Sequence, residues 1–203
     1  MKNKSKFFFF FFIPIFFYLV SPTLSNEIKF EAENIETIDK ELITATNNVI
    51  VSDSKGNKIY GNKLTIKDEK IYTIVGDVIF ENIDDSIKLN TKKIIYNIYE
   101  NQIKTIGDTK IIKNDTYFID TSNIIYDIKN KKISSKEKTF VEDLQSNKIE
   151  IENFNFLLKE SLLKANSAKI IDKNLNHYEL KKFYYDLKNN SILGKDLTLN
   201  QNI

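Results

Sequence analysis

The sequence predicts an all-β protein built from repeated two-strand units, and three observations support this fold class. A phrase of alternating apolar and polar residues starts at Lys63, at Lys93 and at Asn123, so it recurs every 30 residues. A period of this size is typical of repeat architectures, in which each unit stacks on its neighbours. The apolar content comes chiefly from Ile, Leu, Tyr, Phe and Val, most of which favour strands. Both prolines, Pro14 and Pro22, lie near the N-terminus, so the rest of the chain can form uninterrupted ladders.

The strands can be followed along the chain from their alternation and from the turn residues between them. Ile28 and Phe30 predict a first edge strand. Asn47 and Asn48 interrupt the next apolar run, and such a pair is typical of a turn or a bulge. A further turn at 54–57 leads into the repeats, whose strands recur without a convincing helix. Strands at this spacing are typical of a sandwich, a barrel or a β-solenoid.

Glycine ends the second strand of several units. Gly76, Gly107 and Gly194 occupy this position. An isolated glycine in a strand is typical of a bulge or a tight bend. We therefore expect the sheet to turn a corner at these glycines.

Residues 154–172 carry the weakest repeat signal. The leucines between Leu157 and Leu163 have a spacing that fits a short helix. The looser alternation of apolar and polar residues from Leu163 to Ile171 instead fits another two-strand repeat whose pattern is weaker. We favour the strand interpretation.

The first 25 residues predict a cleaved secretory signal, which leaves residues 26–203 as one exported β domain. Lys2, Lys4 and Lys6 precede an apolar core from Phe7 to Val20, and small residues follow it. An uncleaved membrane anchor is the alternative, although the apolar core is shorter than a usual span. The chain has no cysteine, which excludes a lipoprotein anchor and a disulfide framework.

Composition and motifs give no indication of an enzyme. The formal net charge is +2, and the leader contributes three lysines and no acid, so the remainder is close to neutral and no nucleic-acid partner is expected. The only histidine, His177, lies in a predicted loop, and the Asp84–Asp85 pair lacks the spacing of a calcium site. We therefore predict no catalytic residue, no metal site and no cofactor.

Alternation within the strands predicts one continuous inward face. Stacked repeats would line it with matching apolar side chains. These side chains either fill an ordinary closed core or line a trough that stays partly open for an apolar ligand. The predicted inward residues are Leu64, Ile66, Val78, Phe80, Ile94, Tyr96, Ile98, Ile124, Tyr126 and Ile128.

The repeated phrase resembles the OstA-type repeat of bacterial lipopolysaccharide-transport proteins. Its general form is two apolar residues, Tyr-Asp/Asn, a polar turn, and Ile-x-x-x-Gly-Asp/Asn-Val. Matching stretches are 43–50, 71–78 and 103–109, the last with Thr109 in place of valine. The start at 30–35 is similar to the opening of these domains. The family comprises the bridge protein LptA, the anchored LptC and the N-terminal periplasmic domain of the assembly protein LptD, the last being the most similar.

This resemblance implies an open β-jellyroll that holds the lipid A acyl chains of lipopolysaccharide in an apolar trough. It also implies a periplasmic or outer-membrane location, and head-to-tail strand addition to other jellyroll proteins of the lipopolysaccharide bridge. The chain would be the N-terminal part of an LptD-like protein or an LptA-like bridge. With the export signal, the resemblance favours the open trough over the filled core. Alternatives are a structural or adhesive exported β-solenoid with a closed core, and a polysaccharide-processing enzyme on a β-helix.

Overall fold

The computed structural model describes residues 28–38, 42–142 and 147–200. These residues form seventeen strands, and no helix occurs among them. Every strand pairing between them is antiparallel, for example β4 with β5 and β15 with β16. The predicted all-β fold is therefore confirmed for this part of the chain. The predicted leader, residues 1–25, lies outside the described residues. The strands are β1 (Lys29–Glu31), β2 (Asn34–Thr37), β3 (Leu42–Ser52), β4 (Asn57–Lys67), β5 (Ile71–Asn82), β6 (Ile87–Asn97), β7 (Gln102–Thr105), β8 (Asp108–Lys113), β9 (Tyr117–Ser122), β10 (Ile125–Asp127), β11 (Lys132–Ser135), β12 (Thr139–Glu142), β13 (Lys148–Glu152), β14 (Phe154–Leu157), β15 (Leu162–Ile171), β16 (His177–Asp186) and β17 (Ser191–Asn200).

The sheet folds over on itself along a line where long strands shift register or where the chain breaks into two shorter strands. The long strands β3, β4 and β5 carry register shifts there, at Thr46/Val49 and Val75/Val78 among others. In the central repeats the strand breaks completely, so β6 pairs with β8 along its first half and with β7 along its second half. We call this line of shifts and breaks the corner. Bulges of this kind bend a strand and interrupt its hydrogen-bonded ladder.

The corner divides the sheet into two layers. Layer 1 contains β2, β7, β10, β11 and β14, together with the halves of the long strands joined to them. Layer 2 contains β1, β8, β9, β12 and β13 with the other halves. The layers face each other, since the ring of Phe80 in layer 2 lies 5.8 Å from the ring of Tyr126 in layer 1. Their inner faces share a single hydrophobic core.

The corner forms where the sequence places residues that tolerate a left-handed backbone. Gly76 and Gly107 have φ angles of 88° and 83°, and Asn47 and Asn48 have φ angles of 64° and 50°. Glycine adopts this region freely and asparagine more readily than most residues. The predicted bulge at the asparagine pair and the predicted bends at these two glycines are confirmed. At Gly194 the backbone is not left-handed, but a register shift lies beside it.

Two local predictions have different outcomes. Residues 154–172 contain β14, a turn and β15, so the strand interpretation is correct and the short helix is not formed. His177 was predicted in a loop, whereas it is the first residue of β16 and pairs with Ile171. Tyr178 and Leu180 continue the strand with alternating burial. The pairing of β16 with β15 therefore determines the conformation of His177, although the polar residues before it favour a loop.

Candidate functional site

The inner faces of the two layers enclose an apolar trough that runs through the described repeats. All ten residues of the predicted inward face lie on this side. Nine of them are buried: Leu64, Ile66, Val78, Phe80, Ile94, Tyr96, Ile124, Tyr126 and Ile128. The tenth, Ile98, is partly buried and packs against the same core. In this conformation the side chains of both layers fill the trough, so the inward face is a packed interior.

The interior of the trough has its polar groups satisfied. Near the corner, the Thr109 hydroxyl donates to Thr105 Oγ1 at 2.7 Å, and the hydroxyls of Thr121 and Thr139 share a hydrogen bond of 2.7 Å. No buried side-chain nitrogen or oxygen of the described residues lacks a partner. A ligand in the trough would therefore gain free energy from apolar burial and not from hydrogen bonds to unpaired buried groups.

Opposite the corner, two rows of turns meet, and we call this meeting line the mouth. Tyr96 of layer 1 donates its hydroxyl proton to Asp53 Oδ2 of a layer 2 turn at 2.9 Å. One repeat further, Tyr126 donates to Asp85 Oδ2 at 2.8 Å. We call these two contacts clasp 1 and clasp 2. Further along, the Tyr117 hydroxyl donates to the carbonyl of Leu187 at 2.9 Å, so layer 2 supplies the donor there.

Lysines make further contacts at the mouth, beside clasp 1 and within clasp 2. Lys55 Nζ donates to Asn101 Oδ1 across the mouth at 2.6 Å, beside clasp 1. Lys131 Nζ lies 2.6 Å from Asp85 Oδ1, in an ion pair whose carboxylate side chain is only 8% exposed. The Lys113 ammonium also donates to the backbone carbonyl of Asp85. A carboxylate this buried is stable only when it is paired and hydrogen-bonded, which these contacts provide.

The electrostatic environment of the mouth keeps both tyrosines neutral. Burial raises the pKa of Tyr96, and the Asp53 charge and its hydrogen bond raise it further. Burial likewise raises the pKa of Tyr126, and the hydrogen bond to Asp85 adds to this effect. Loss of hydration disfavours a phenolate, and a facing carboxylate repels it. The hydroxyls therefore remain donors over the whole neutral range.

The aspartates of the mouth are functional candidates that the sequence prediction missed. Asp53 also accepts hydrogen bonds from the backbone of Lys55 and from the backbone and side chain of Asn57. Asp172 makes the same contacts with Asn174 and Asn176 in the turn before β16. Asp172, however, accepts from the nearby Tyr178 at 2.9 Å, so the Asp-x-x-x-Asn pattern alone does not identify clasp 1 in the sequence.

Apolar side chains of the trough are more exposed to solvent at its C-terminal end, beside β17. β17 pairs with β16 and with no other described strand, so no described strand covers its outer edge. Next to it, a cavity of about 470 Å³ is lined by Ile170, Leu180, Ile192 and Leu197 among others. Leu197 is 61% exposed, although it belongs to an alternating strand. An apolar opening beside an unpaired edge strand is a place where another strand or an apolar ligand can add.

Neither a metal site nor a membrane-spanning helix is found among the described residues. No group of three or more His, Cys, Asp or Glu side chains among them could hold a metal ion. His177 is exposed at the start of β16. In the same part of the chain, no helix has the length and apolar character needed to cross a membrane.

Comparison with known proteins gives one kind of match. No family model matches the sequence, and no curated protein matches it. Among solved structures, the chain is similar to LptH from Pseudomonas aeruginosa, the LptA-homologous periplasmic component of the conserved lipopolysaccharide transport device. The TM-score is 0.45 at 23% sequence identity, over 50% of this chain and 76% of that chain.

Proposed function

We propose that this chain is a non-enzymatic lipopolysaccharide-transport module that holds lipid A acyl chains in the trough. The observation that carries the proposal is the apolar core, which is continuous through the repeats and lies between two layers joined along one side. Each acyl methylene buried there gains about 0.8 kcal/mol. The OstA-type repeat phrase supplies the ligand class, since the geometry alone fits any long hydrocarbon chain.

The corner and the mouth indicate how a filled interior could admit a chain. In the described part of the chain the layers are covalently joined only through the corner, and in the central repeats the strand breaks there completely between β7 and β8 and between β9 and β10. Across the mouth they are joined by side-chain contacts such as Tyr126 with Asp85. Parting the layers at the mouth therefore leaves the ladders of each layer intact, and acyl chains take the place of the facing side chains.

The ends of the sheet support the proposed partners. At one end β1 and β2 pair only with β3, and at the other β17 pairs only with β16 among the described strands. Free edges pair readily with new strands. We propose that other jellyroll proteins add head to tail at these edges, so that the trough continues from one protein to the next towards the outer membrane. Export by the predicted leader would place the chain in the periplasm.

A closed-core structural or adhesive β protein is the second candidate. It is favoured by the packed interior, in which Leu64, Ile74 and Phe80 are fully buried. Under this hypothesis the clasps are permanent, and no lipid enters.

Site-specific photocrosslinking in cells distinguishes these two functions. A benzophenone amino acid replaces Phe80, which points into the trough, or Phe118, which is 45% exposed on the outside of layer 2. Both sites are phenylalanine in the same layer, so the second is a matched control. We expect a lipopolysaccharide adduct from position 80 and none from position 118. A folded protein that gives no adduct at position 80, or equal adducts at both, would contradict transport and favour the closed core.

A further inference from the structure

The two clasps are connected by a chain of hydrogen bonds along the rim of layer 2. Asn57 Nδ2 donates to Asp53 Oδ2 at 2.7 Å, and Asn82 Nδ2 donates to Asn57 Oδ1 at 2.7 Å. The backbone N–H of Asp85 then donates to Asn82 Oδ1 at 2.7 Å. The chain therefore runs from Tyr96 through Asp53, over two amides, to the residue that holds Tyr126.

The two amides of this chain are buried. Asn57 is 2% exposed and Asn82 is 4% exposed. A buried amide that loses its partner costs about 1–3 kcal/mol, because water cannot replace the lost bond. Hydrogen bonds in such a network also polarise and strengthen one another. Moving one turn away from layer 1 therefore displaces the amide beside it and disturbs the next turn as well.

We propose that clasp 1, clasp 2 and the two asparagines form one latch, so that this part of the mouth opens as a unit. The amides fix Asp53 and Asp85 relative to each other, and each aspartate positions the acceptor for its own tyrosine. The Tyr117–Leu187 contact lies outside the hydrogen-bonded chain and is not part of the latch. The latch has a further role, which rests on the proposed function: lipopolysaccharide acyl chains enter this segment only after the latch opens.

Spin-label distances test the coupling without any lipid. The chain has no native cysteine, so labels can be placed at chosen sites. Ser54→Cys with Glu100→Cys reports on clasp 1, and Ile83→Cys with Lys129→Cys reports on clasp 2. All four positions are exposed and lie in the turns beside the clasps. Tyr96→Phe then removes the hydroxyl of clasp 1 while keeping its ring.

We expect Tyr96→Phe to move both label pairs towards longer and broader distances. In a background with Asn57→Leu and Asn82→Leu, the same change should affect only the pair at clasp 1, because the connecting amides are gone. Circular dichroism checks that each variant keeps its β structure. A shift confined to clasp 1 in the protein with both asparagines would overturn the coupled latch.

A reducible bis-maleimide tests entry separately, by joining the two introduced thiols of the Ser54→Cys, Glu100→Cys variant across the mouth. Purified lipopolysaccharide is the probe, captured through benzophenone at position 80. We expect the crosslinked protein to capture several-fold less than the uncrosslinked protein, and reduction of the linker to restore capture. Equal capture by both forms would overturn the gating role. Failure of the uncrosslinked protein to capture any lipopolysaccharide would instead contradict the proposed function, with the coupling still judged by the label distances.

Discussion

The rings of Phe80 and Tyr126 pack edge to face across the trough, with centroids 5.8 Å apart and planes at 72°. Tyr126 thus joins two parts of the molecule, since its ring lies in the core and its hydroxyl reaches Asp85 at the mouth. Aromatic pairs in this geometry add about 0.5–1.5 kcal/mol to the free energy of burial alone. Under the proposed function, an acyl chain that separates the layers would replace this contact, and the opening of clasp 2 would release the Tyr126 ring from the mouth.

The first prediction concerns the contribution of this contact to folding. Phe80→Ala should lower the free energy of unfolding by about 3–5 kcal/mol, because it removes a fully buried ring and leaves a cavity. Phe118→Ala, on the outside of the same layer, should change it by about 0.5 kcal/mol or less. Denaturant unfolding measures both. Similar losses for the two variants would mean that the layers do not pack as described.

The second prediction concerns alkaline pH. Tyr96 and Tyr126 have a pKa raised above the ordinary tyrosine value of about 10. Above that value the unfolded chain releases protons that the folded chain still binds, so the free energy of unfolding falls as pH rises. Below it, the stabilisation is fully present.

The test of this effect is the slope of stability against pH in the alkaline range. The double variant Tyr96→Phe, Tyr126→Phe should show a smaller loss of stability above about pH 10 than the parent. It should also be less stable at neutral pH, because Asp53 and Asp85 each lose a donor. Tyr99→Phe, at a tyrosine that is 83% exposed, is the control and should keep the parent slope. An unchanged slope in the double variant would contradict the burial of these hydroxyls.

The third prediction separates backbone strain from steric clash at the corner. Gly76 and Gly107 share a positive φ, so an alanine at either position costs about 1–2 kcal/mol. A Cβ at Gly76 would also lie 2.9 Å from Asn62 Nδ2 and 3.0 Å from its Cβ, whereas a Cβ at Gly107 would meet nothing within 4 Å. Gly76→Ala should therefore destabilise the protein more than Gly107→Ala in thermal unfolding. Equal losses would show that the side chain of Asn62 moves aside without cost.

These glycines also illustrate how far the sequence predicts the structure. The corner follows from local signals, since Gly76 and the Asn47–Asn48 pair favour a left-handed backbone whatever packs around them. The inward face follows from alternation, which fixes the side of the sheet on which a residue lies. The clasps do not follow, because Tyr96 and Asp53 are 43 residues apart and meet only when two layers are brought together. Alternation also cannot distinguish a filled interior from an open one, since both require the same inward residues.

The last prediction places a charge in the trough where the fold can tolerate it. Ile98 is the one predicted trough residue that is only partly buried, and it lies in the turn directly after β6, beside the mouth. Ile98→Glu should keep the β-sheet spectrum, because its carboxylate can turn towards water. It should nonetheless lower lipopolysaccharide capture about tenfold, because a lost contact of about two methylene groups corresponds to about 1.6 kcal/mol. A carboxylate facing hydrocarbon adds a further cost.

The neighbouring residue supplies the matched control for this substitution. Tyr99 is 83% exposed, and Tyr99→Glu introduces the same charge one residue along, on the solvent side of the turn. It should leave capture unchanged. The readout is the yield of the lipopolysaccharide adduct formed from benzophenone at position 80. Equal yields from folded Ile98→Glu and Tyr99→Glu would mean that acyl chains do not pass this part of the trough.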